Sequence, residues 1–239
     1  MKVQAIIASG GVGTRLKTDR PKPLVSVGGR PLFTYSVEVF EKSSIIDGII
    51  LVVPADYVQD FEDAVKPCGF KKLKKIVVGG RTRCDSVFNG LQALDAKTEI
   101  VVVHDGARPL IRLQIVDEAI RQGKTHGAAV VGVPVKPTIK RINRQGMFVK
   151  KTLDRDELWE IQTPQVFRKD ILWKAYAQRG SERKESLRSE DDPTDDAGLV
   201  ERLGLQVKVV RGDYENIKIT TSEDLIVAEA FLNARQKNP

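Results

Sequence analysis

The chain has 239 residues, and its 39 Lys and Arg residues against 32 Asp and Glu residues give a formal net charge of +7. No apolar stretch approaches the ~18 residues that a membrane span requires, and no leader-like run follows Met1. We therefore expect a cytoplasmic protein with no membrane partner. Cys68 and Cys84 lack the spacing of a metal site, which favours reduced thiols and argues against a disulfide-rich secreted protein.

The basic charge permits binding either to nucleic acid or to polyphosphate substrates. Only 6% of the residues are aromatic, and no RRM, KH or zinc-finger signature is present to supply base stacking or groove docking. We therefore expect no nucleic-acid partner. A non-catalytic nucleotide- or RNA-binding protein remains the alternative from a different functional class.

Short β-branched runs alternate along the chain with amphipathic segments. The predicted strands are Val3–Ala8, Gly48–Val53, Lys75–Val78, Ile100–His104, Ala128–Val133 and Val207–Val210. The predicted helices are Pro31–Glu41, Ala55–Val65, Asp85–Leu94, Leu113–Gln122, Lys169–Gln178 and Ser222–Leu232. This alternation predicts a single α/β domain over residues 1–239, with a doubly wound, mostly parallel sheet of the Rossmann-like type.

Two polar segments interrupt the alternation. Pro137–Leu158 has two short basic strands around the turn-like Asn143–Gly146, which predicts a hairpin arm that protrudes from the domain. Ser181–Asp196 is charged and almost free of apolar residues, which predicts a solvated surface loop. Its last residues, around Asp195, are expected to return to the functional site.

A glycine-rich turn follows the first predicted strand, in the stretch "ASGGVGTRLKTDRPKPL". Bare backbone amides at the carboxyl end of a strand can approach a phosphate closely, so the turn predicts a phosphate cradle. It is not a Walker loop, because no Gly-Lys-Ser/Thr follows, and Leu16 stands at the third glycine position of a dinucleotide fingerprint. The glycines of this turn are Gly10, Gly11 and Gly13.

Two cations follow the turn. Arg15 offers forked donors to phosphate oxygens, and Lys22, held between Pro21 and Pro23, can place an ammonium against the charge of a leaving polyphosphate. For the glycines alone, a tight turn followed by solvated cations would be the simpler interpretation.

Asp105 follows a predicted strand, and this places it at the ligand-binding edge of the sheet. There it could bind a ribose, polyol hydroxyls or a metal, or it could simply cap the next turn. His104, one residue earlier, is interpreted as a packed residue at the strand end.

Several blocks in a fixed order resemble a known family. They are "GGVGTRL…PKPL", "GGRTRCDSV" at 79–87, "VVHDGARP" at 102–109, "PTIKR" at 137–141, "LDRDELWEIQTPQVF" at 153–167 and "NIKIT" at 216–220. Together they resemble the 2-C-methyl-D-erythritol 4-phosphate cytidylyltransferases of the non-mevalonate isoprenoid pathway. The ribitol 5-phosphate cytidylyltransferases share the opening, "HD-x-ARP" and "TPQ", whereas "TIKR" and "NIKIT" favour the methylerythritol enzymes.

The resemblance implies transfer of CMP from CTP to a polyol phosphate with release of pyrophosphate, supported by Mg²⁺, in a homodimer. The implied catalytic residues are Arg15, Lys22 and Lys218; from its position alone, Lys218 would be taken for an exposed strand residue. The implied CTP-binding residues are Ser9, Gly10, Gly11, Gly13, Gly80, Ser86 and Asp105, although Ser86 could instead make ordinary helix-start bonds.

The implied polyol-phosphate-binding residues are Asp105, Arg108, Thr138, Arg155 and Thr163. Asp105 is also the implied metal ligand, with the metal held mainly by the CTP phosphates. In the resembling enzymes the arm reaches across a two-fold axis, so that Thr138 and Arg155 would serve the partner's site. An exposed, solvated hairpin is the alternative interpretation of the arm.

Overall fold

The computed structural model describes residues 1–10, 20–143, 145–185 and 194–237. Its strands are β1 Lys2–Ala8, β2 Ser26–Val27, β3 Arg30–Pro31, β4 Gly48–Val53, β5 Leu73–Val78, β6 Thr98–Asp105, β7 Ala128–Pro134, β8 Lys140–Asn143, β9 Phe148–Thr152, β10 Trp159–Arg168 and β11 Lys208–Arg211. Its α-helices are α1 Leu32–Lys42, α2 Val58–Val65, α3 Arg83–Gln92, α4 Leu113–His126, α5 Lys169–Glu185, α6 Asp196–Glu201 and α7 Ser222–Lys237. Among the helices of these ranges, none combines the length and the apolar character that crossing a membrane requires.

The central sheet has seven strands in the order β11-β7-β10-β6-β1-β4-β5. Strands β4, β1 and β6 are parallel neighbours, whereas β10 runs antiparallel between β6 and β7. The six predicted strands and the mostly parallel α/β class are confirmed. Strands such as β4 are buried at every residue and rich in β-branched side chains. A strand that is covered on both faces has no alternation of polar and apolar residues, so its continuous apolar run predicted it from the sequence.

Helices cover both faces of the sheet, and each face has its own apolar cluster. On one face, α1, α2 and α4 pack on the sheet through residues such as Phe40, Phe61 and Ile120. On the other face, α3, α5 and α6 pack through residues such as Leu91 and Leu172. The sheet is therefore rigidly held from both sides, and the loops at its edge are anchored to buried strands.

The direction of winding reverses between β1 and β6. From β1 the chain continues to β4 and β5 on one side, and then returns to place β6 on the other side of β1. The two strands end together, because Ala8 lies in register with Asp105. Ligands of doubly wound sheets bind in the crevice outside the carboxyl ends of the strands at such a point.

Two sequence predictions need correction. Ser181–Asp196 was predicted to be a loop, but residues 181–185 belong to α5 and α6 begins at Asp196, whereas residues 186–193 lie outside the described residues. The Glu, Lys and Arg residues that suggested a solvated loop are also good helix formers, so they can extend a helix that is already nucleated. β10 was not foreseen, because Gln162, Thr163 and Pro164 interrupt its apolar pattern at the same place where its ladder with β7 breaks.

The segment from 137 to 158, here called the arm, contains an antiparallel hairpin of β8 and β9 that is separate from the central sheet. All five residues of β9 are exposed. At its turn and second strand, three neighbouring apolar side chains are also exposed, namely Met147, Phe148 and Val149.

Candidate active site

The crevice at the carboxyl ends of β1 and β6 consists of two adjoining cavities of about 340 and 310 Å³. Three charged residues line both of them and therefore mark the junction: Arg83, Asp105 and Lys218. The junction is the natural place for two bound molecules to meet.

The first cavity holds residues that were predicted to bind a nucleoside triphosphate. Its lining includes Gly10, Lys22, Gly80 and Ser86. They come from the ends of different elements, since Gly10 follows β1 and Gly80 follows β5, and the fold therefore brings them together only at the sheet edge.

The loop before α3 is held by its own side chains. Thr82 and Asp85 form a reciprocal capping box at the start of the helix. The hydroxyl of Ser86 accepts a hydrogen bond from the Gly80 amide at 3.1 Å and donates to the Thr82 carbonyl at 2.9 Å. The helix-start bonding that was considered for Ser86 is therefore present, and it fixes the loop that lines the first cavity.

The second cavity holds residues that were predicted to bind a polyol phosphate. Arg108 and Thr163 line it, together with Gln162 and with Asp195, which caps the start of α6. Arg108 is buried, and among the described residues its Nε has no hydrogen-bond partner. An orphaned guanidinium donor beside a polar cavity is suited to binding an anion.

Asp105 lies at the centre of the junction, surrounded by cations. Its Oδ1 accepts from Arg83 Nε at 3.1 Å, and its Oδ2 lies 2.7 Å from Lys218 Nζ and 3.8 Å from Arg108 Nε. Burial alone would raise the pKa of the Asp105 carboxyl, but the charges of Arg83, Lys218 and Arg108 outweigh it and hold the pKa far below its ordinary value. The carboxylate is thus ionised, and it binds cations rather than capping the next turn.

Arg83 is a site residue that the sequence interpretation missed. Besides Asp105, its guanidinium contacts Asp196 Oδ2 at 2.8 Å, and Asp196 Oδ1 accepts from the hydroxyl of Tyr176 at 2.5 Å. Arg83 therefore joins the end of β6 to the start of α6. Arg83 stands in the first turn of a helix, three residues after Gly80, and this position could have indicated a site residue. A solvent-exposed cation is equally common at such a position.

Lys218 belongs to a segment without regular structure between β11 and α7. Its side chain is 42% exposed, so it can leave Asp105 and reach into either cavity. The segment is fixed by backbone bonds, such as that from the Ile219 amide to the Ala107 carbonyl at 2.9 Å. Lys218 is thus a crevice residue, and the alternative of an exposed strand residue is wrong because no strand forms there.

His104 is a buried support for the crevice. Its Nε2 donates to the Arg108 carbonyl at 3.3 Å, because a carbonyl can only accept, and its Nδ1 then accepts from the Thr163 hydroxyl at 3.0 Å. The Thr163 oxygen in turn accepts from the Asp105 amide at 3.1 Å. Burial lowers the pKa of His104 to about 4, so the ring is neutral near pH 7 and is a packed residue, as expected.

The remaining predicted residues lie in three places. Thr138 and Arg155 are on the arm and are not among the described residues that line the two cavities. Ser9 is fully buried behind the crevice, and its hydroxyl has no partner among the described residues. Three further predicted residues lie outside the described ranges: Gly11, Gly13 and Arg15.

A divalent metal has a candidate ligand in Asp105. In the described part of the chain, no group of three or more His, Cys, Asp or Glu side chains could hold a metal ion. Mg²⁺, however, is commonly bound through one or two carboxylates together with substrate phosphates. One ionised carboxylate at the junction of the cavities fits that mode of binding.

Comparison with known proteins gives consistent matches over nearly the whole chain. A family model described as 2-C-methyl-D-erythritol 4-phosphate cytidylyltransferase matches residues 3–234. A protein of that name from Pelotomaculum thermopropionicum is 45% identical over 236 residues, which cover 98% of this chain and 96% of that protein. Another of that name from Alkaliphilus metalliredigens is 44% identical over 238 residues, covering 98% and 95%.

Solved structures agree with the sequence matches. The 4-diphosphocytidyl-2C-methyl-D-erythritol synthase of Anaerococcus prevotii superposes with a TM-score of 0.84 at 35% identity, covering 97% of this chain and 96% of that one. The 2-C-methyl-D-erythritol 4-phosphate cytidylyltransferase of Thermus thermophilus gives a TM-score of 0.76 at 30% identity, covering 98% and 100%. The matched part of the chain includes both cavities of the crevice.

Proposed function

The chain belongs to the 2-C-methyl-D-erythritol 4-phosphate cytidylyltransferase family, and on that premise we propose how its crevice performs the family's reaction. The enzyme transfers CMP from CTP to 2-C-methyl-D-erythritol 4-phosphate, releasing pyrophosphate, in isoprenoid precursor biosynthesis. The observation that carries the residue assignment is the pair of cavities that meet at Arg83, Asp105 and Lys218. CTP occupies the first cavity, the polyol phosphate occupies the second, and the bond forms at the junction.

The reaction needs no general base. The second pKa of a phosphomonoester is ~6, so the attacking oxygen is already ionised at neutral pH. The neighbouring His104 is neutral and has both ring nitrogens engaged, which leaves it unsuited to proton transfer with substrate. Catalysis therefore consists of holding the reactants in line and stabilising the charge that develops.

The cations of the crevice supply that stabilisation. Lys22 lies in the first cavity, where it binds the β- and γ-phosphates, and the family resemblance assigns the same task to Arg15. Lys218 leaves Asp105 and stabilises the five-coordinate α-phosphorus, because its half-exposed ammonium lines both cavities. Arg83 then remains on Asp105 and keeps the carboxylate in place.

Mg²⁺ is the proposed cofactor, held by the triphosphate and by Asp105. When bound, it neutralises phosphate oxygens and favours the in-line geometry of the transfer. Asp105 can also accept hydrogen bonds from hydroxyl groups of the ribose or of the polyol.

The second cavity binds the phosphate and hydroxyl groups of the acceptor. Arg108 brings its guanidinium charge to the wall of this cavity, where it attracts the phosphate, and Thr163 offers an oxygen whose orientation is fixed by His104. The "TIKR" and "NIKIT" blocks favour methylerythritol phosphate over ribitol phosphate as the acceptor.

The whole chain acts as one catalytic domain, and the arm serves for homodimerisation. No described residue of the hairpin is buried, so the hairpin is only marginally stable by itself, and three exposed apolar side chains near its turn would be covered by a second copy. Thr138 and Arg155 would then enter the partner's second cavity. A cytoplasmic location is supported by Cys68 and Cys84, which form no disulfide, as expected in a reducing compartment.

The test is an assay of pyrophosphate release in the presence of CTP and Mg²⁺, with methylerythritol phosphate and ribitol phosphate in parallel. We expect pyrophosphate release to depend on methylerythritol phosphate and to be clearly slower with ribitol phosphate. We also expect CTP to be a better substrate than UTP. Mass spectrometry of the product identifies the cytidylyl ester. Equal rates with and without a polyol phosphate would contradict the proposal.

A further inference from the structure

Asn216 is a fully buried polar residue two positions before Lys218. Its side-chain amide nitrogen donates to Gln162 Oε1 at 3.0 Å and to the Thr163 carbonyl at 2.9 Å. Both acceptors belong to the interrupted middle of β10, on the wall of the second cavity. The side chain of Asn216 therefore ties the Lys218 segment to that wall.

The backbone of Asn216 makes further bonds in the same region. Its carbonyl accepts from Arg108 Nη1 at 2.7 Å, and its amide donates to the Asp213 carbonyl at 3.0 Å. The Asp213 carbonyl also accepts from Gln162 Nε2 at 2.9 Å. Asn216, Asp213 and Gln162 thus form a closed ring of hydrogen bonds, with Arg108 attached to it.

These bonds matter because the segment that carries Lys218 has no helix or strand to hold it. Asn216 fixes the backbone on one side of Lys218, and the bond from Ile219 to Ala107 fixes it on the other. From this arrangement, and resting on the proposed function, we propose that Asn216 is a positioning residue. It holds Lys218 at the junction while orienting Arg108 in the second cavity.

Asparagine is suited to this position because one side-chain nitrogen must donate to two oxygens at once. Aspartate has nearly the same shape, but its ionised carboxylate would face the same two acceptors and repel both. Asn216→Asp is therefore a change of chemistry at constant size. Asn89→Asp is the matched control, because Asn89 also donates to a backbone carbonyl, that of Val78, at 3.0 Å, but lies on α3 away from both cavities.

For Asn216→Asp we expect kcat to fall by about tenfold or more, the cost of leaving buried polar groups unpaired. KM for methylerythritol phosphate should rise, because the Asn216 backbone carbonyl that accepts from Arg108 would no longer be held in place by the side chain. KM for CTP should change by less than about threefold, because Gly10, Gly80 and Ser86 are held by other elements. Asn89→Asp should leave all three parameters near those of the wild type.

The pH dependence supplies a second readout. In Asn216→Asp, burial and the two facing acceptor oxygens raise the pKa of the new carboxyl against the opposing charge of Arg108, and once protonated the carboxyl can donate one hydrogen bond. The ratio of wild-type to Asn216→Asp activity, measured at each pH, should therefore shrink as the pH is lowered from 8 to 6. A variant that had only lost packing would show a constant ratio.

Hydrogen–deuterium exchange separates this inference from the proposed function. Asn216→Asp should speed exchange of amides in residues 213–220 while leaving α1 and β4 protected, whether or not the wild type uses methylerythritol phosphate. If the variant does not fold, Gln162→Glu tests the same ring, since it removes the donor to the Asp213 carbonyl. Normal kinetics and normal exchange at 213–220 in a folded variant would overturn the inference.

Discussion

In the crevice, charged side chains are paired with one another around a buried carboxylate, whereas in the arm they are exposed to solvent. Asp105 is almost fully buried and is shared by Arg83, Lys218 and Arg108. The arm, in contrast, has a second strand that is exposed at every residue, and the guanidinium of Arg155 makes a long contact of 3.5 Å to the Lys136 carbonyl. Similar cations thus occupy very different surroundings.

The difference shows which region can be complete within one chain. Buried ion pairs and hydrogen bonds fix the crevice to within the tolerance that catalysis requires. Among the described residues of the arm, Lys140 donates to the Thr152 hydroxyl at 2.6 Å, but every charged side chain is exposed, so we expect a further surface to position Arg155. Changes in the crevice should therefore reduce the turnover of the same chain, and changes in the arm should reduce the turnover of the partner's site.

The largest effect is expected for Lys218→Ala, which removes the ammonium from the junction. Loss of one preorganised charge contact commonly lowers kcat by ~10²–10³. Because Lys218 is partly exposed, the thermal unfolding temperature should change little. Lys208→Ala, on the exposed edge strand β11, is the control. Steady-state assays at saturating CTP and methylerythritol phosphate measure kcat of the variant. A near-normal kcat would remove Lys218 from the mechanism.

A smaller loss of turnover is expected for Arg83→Gln, because Arg83 positions Asp105 while Lys218 acts. The variant should lose about tenfold in kcat and about 3 kcal/mol in the free energy of unfolding, since the buried Asp196 side chain would lose its guanidinium partner. Arg121→Gln breaks an exposed ion pair on α4 and should cost about 0.5 kcal/mol or less. Urea unfolding curves measure the free energy of unfolding of both variants. Equal losses of stability in Arg83→Gln and Arg121→Gln would contradict the buried role of Arg83.

The burial that distinguishes the crevice from the arm should also make stability depend on pH, because the buried His104 supports the crevice only while its ring is neutral. Its folded pKa of about 4 lies below the ordinary 6.5, so between these values the unfolded chain binds a proton that the folded chain excludes. Stability should therefore fall by about 3 kcal/mol as the pH drops from 6.5 to 4, and this contribution should level off below pH 4.

The variant His104→Gln isolates this effect. A glutamine can still donate and accept a hydrogen bond but does not titrate in this range, so its unfolding free energy should fall less steeply between pH 6.5 and 4. His126→Gln, on the exposed end of α4, should keep the wild-type slope. If the unfolding free energies of the wild type and His104→Gln depended on pH with identical slopes, a group other than His104 would cause the loss of stability.

The sequence predicted those parts of the fold in which burial alone determines the pattern of apolar residues. Buried parallel strands such as β4 read as uninterrupted apolar runs, and the strand ends placed Gly10, Gly80 and Asp105 at one edge. The family blocks added Arg108, Thr163 and Lys218, whose separate positions in the chain carry no signal of proximity.

Features that depend on tertiary contacts were missed. β10 carries Gln162, Thr163 and Pro164 in its middle, and two polar residues and a proline do not suggest a central strand until the hydrogen bonds from Asn216 to Gln162 and Thr163 are seen. Arg83 resembles any surface cation at a helix start, because its two buried partners lie 22 and 113 positions away along the chain. Long-range pairing of this kind cannot be read from local patterns.

The most direct test of the central claim, that the crevice of one chain is completed by the arm of another, uses two variants that are each defective. Lys22→Ala damages the crevice and leaves the arm intact, whereas Arg155→Ala damages the arm and leaves the crevice intact. Each homodimer should be nearly inactive. A mixed dimer, however, contains one site built from the intact crevice of one chain and the intact arm of the other.

The measurement is the activity of the two variants co-expressed in equal amounts with different affinity tags, so that mixed dimers can be identified. Random pairing gives about half mixed dimers, each with one good site of two, so activity should recover to about a quarter of the wild-type value. No recovery, with mixed dimers shown to be present, would contradict the account and would place Arg155 in the site of its own chain.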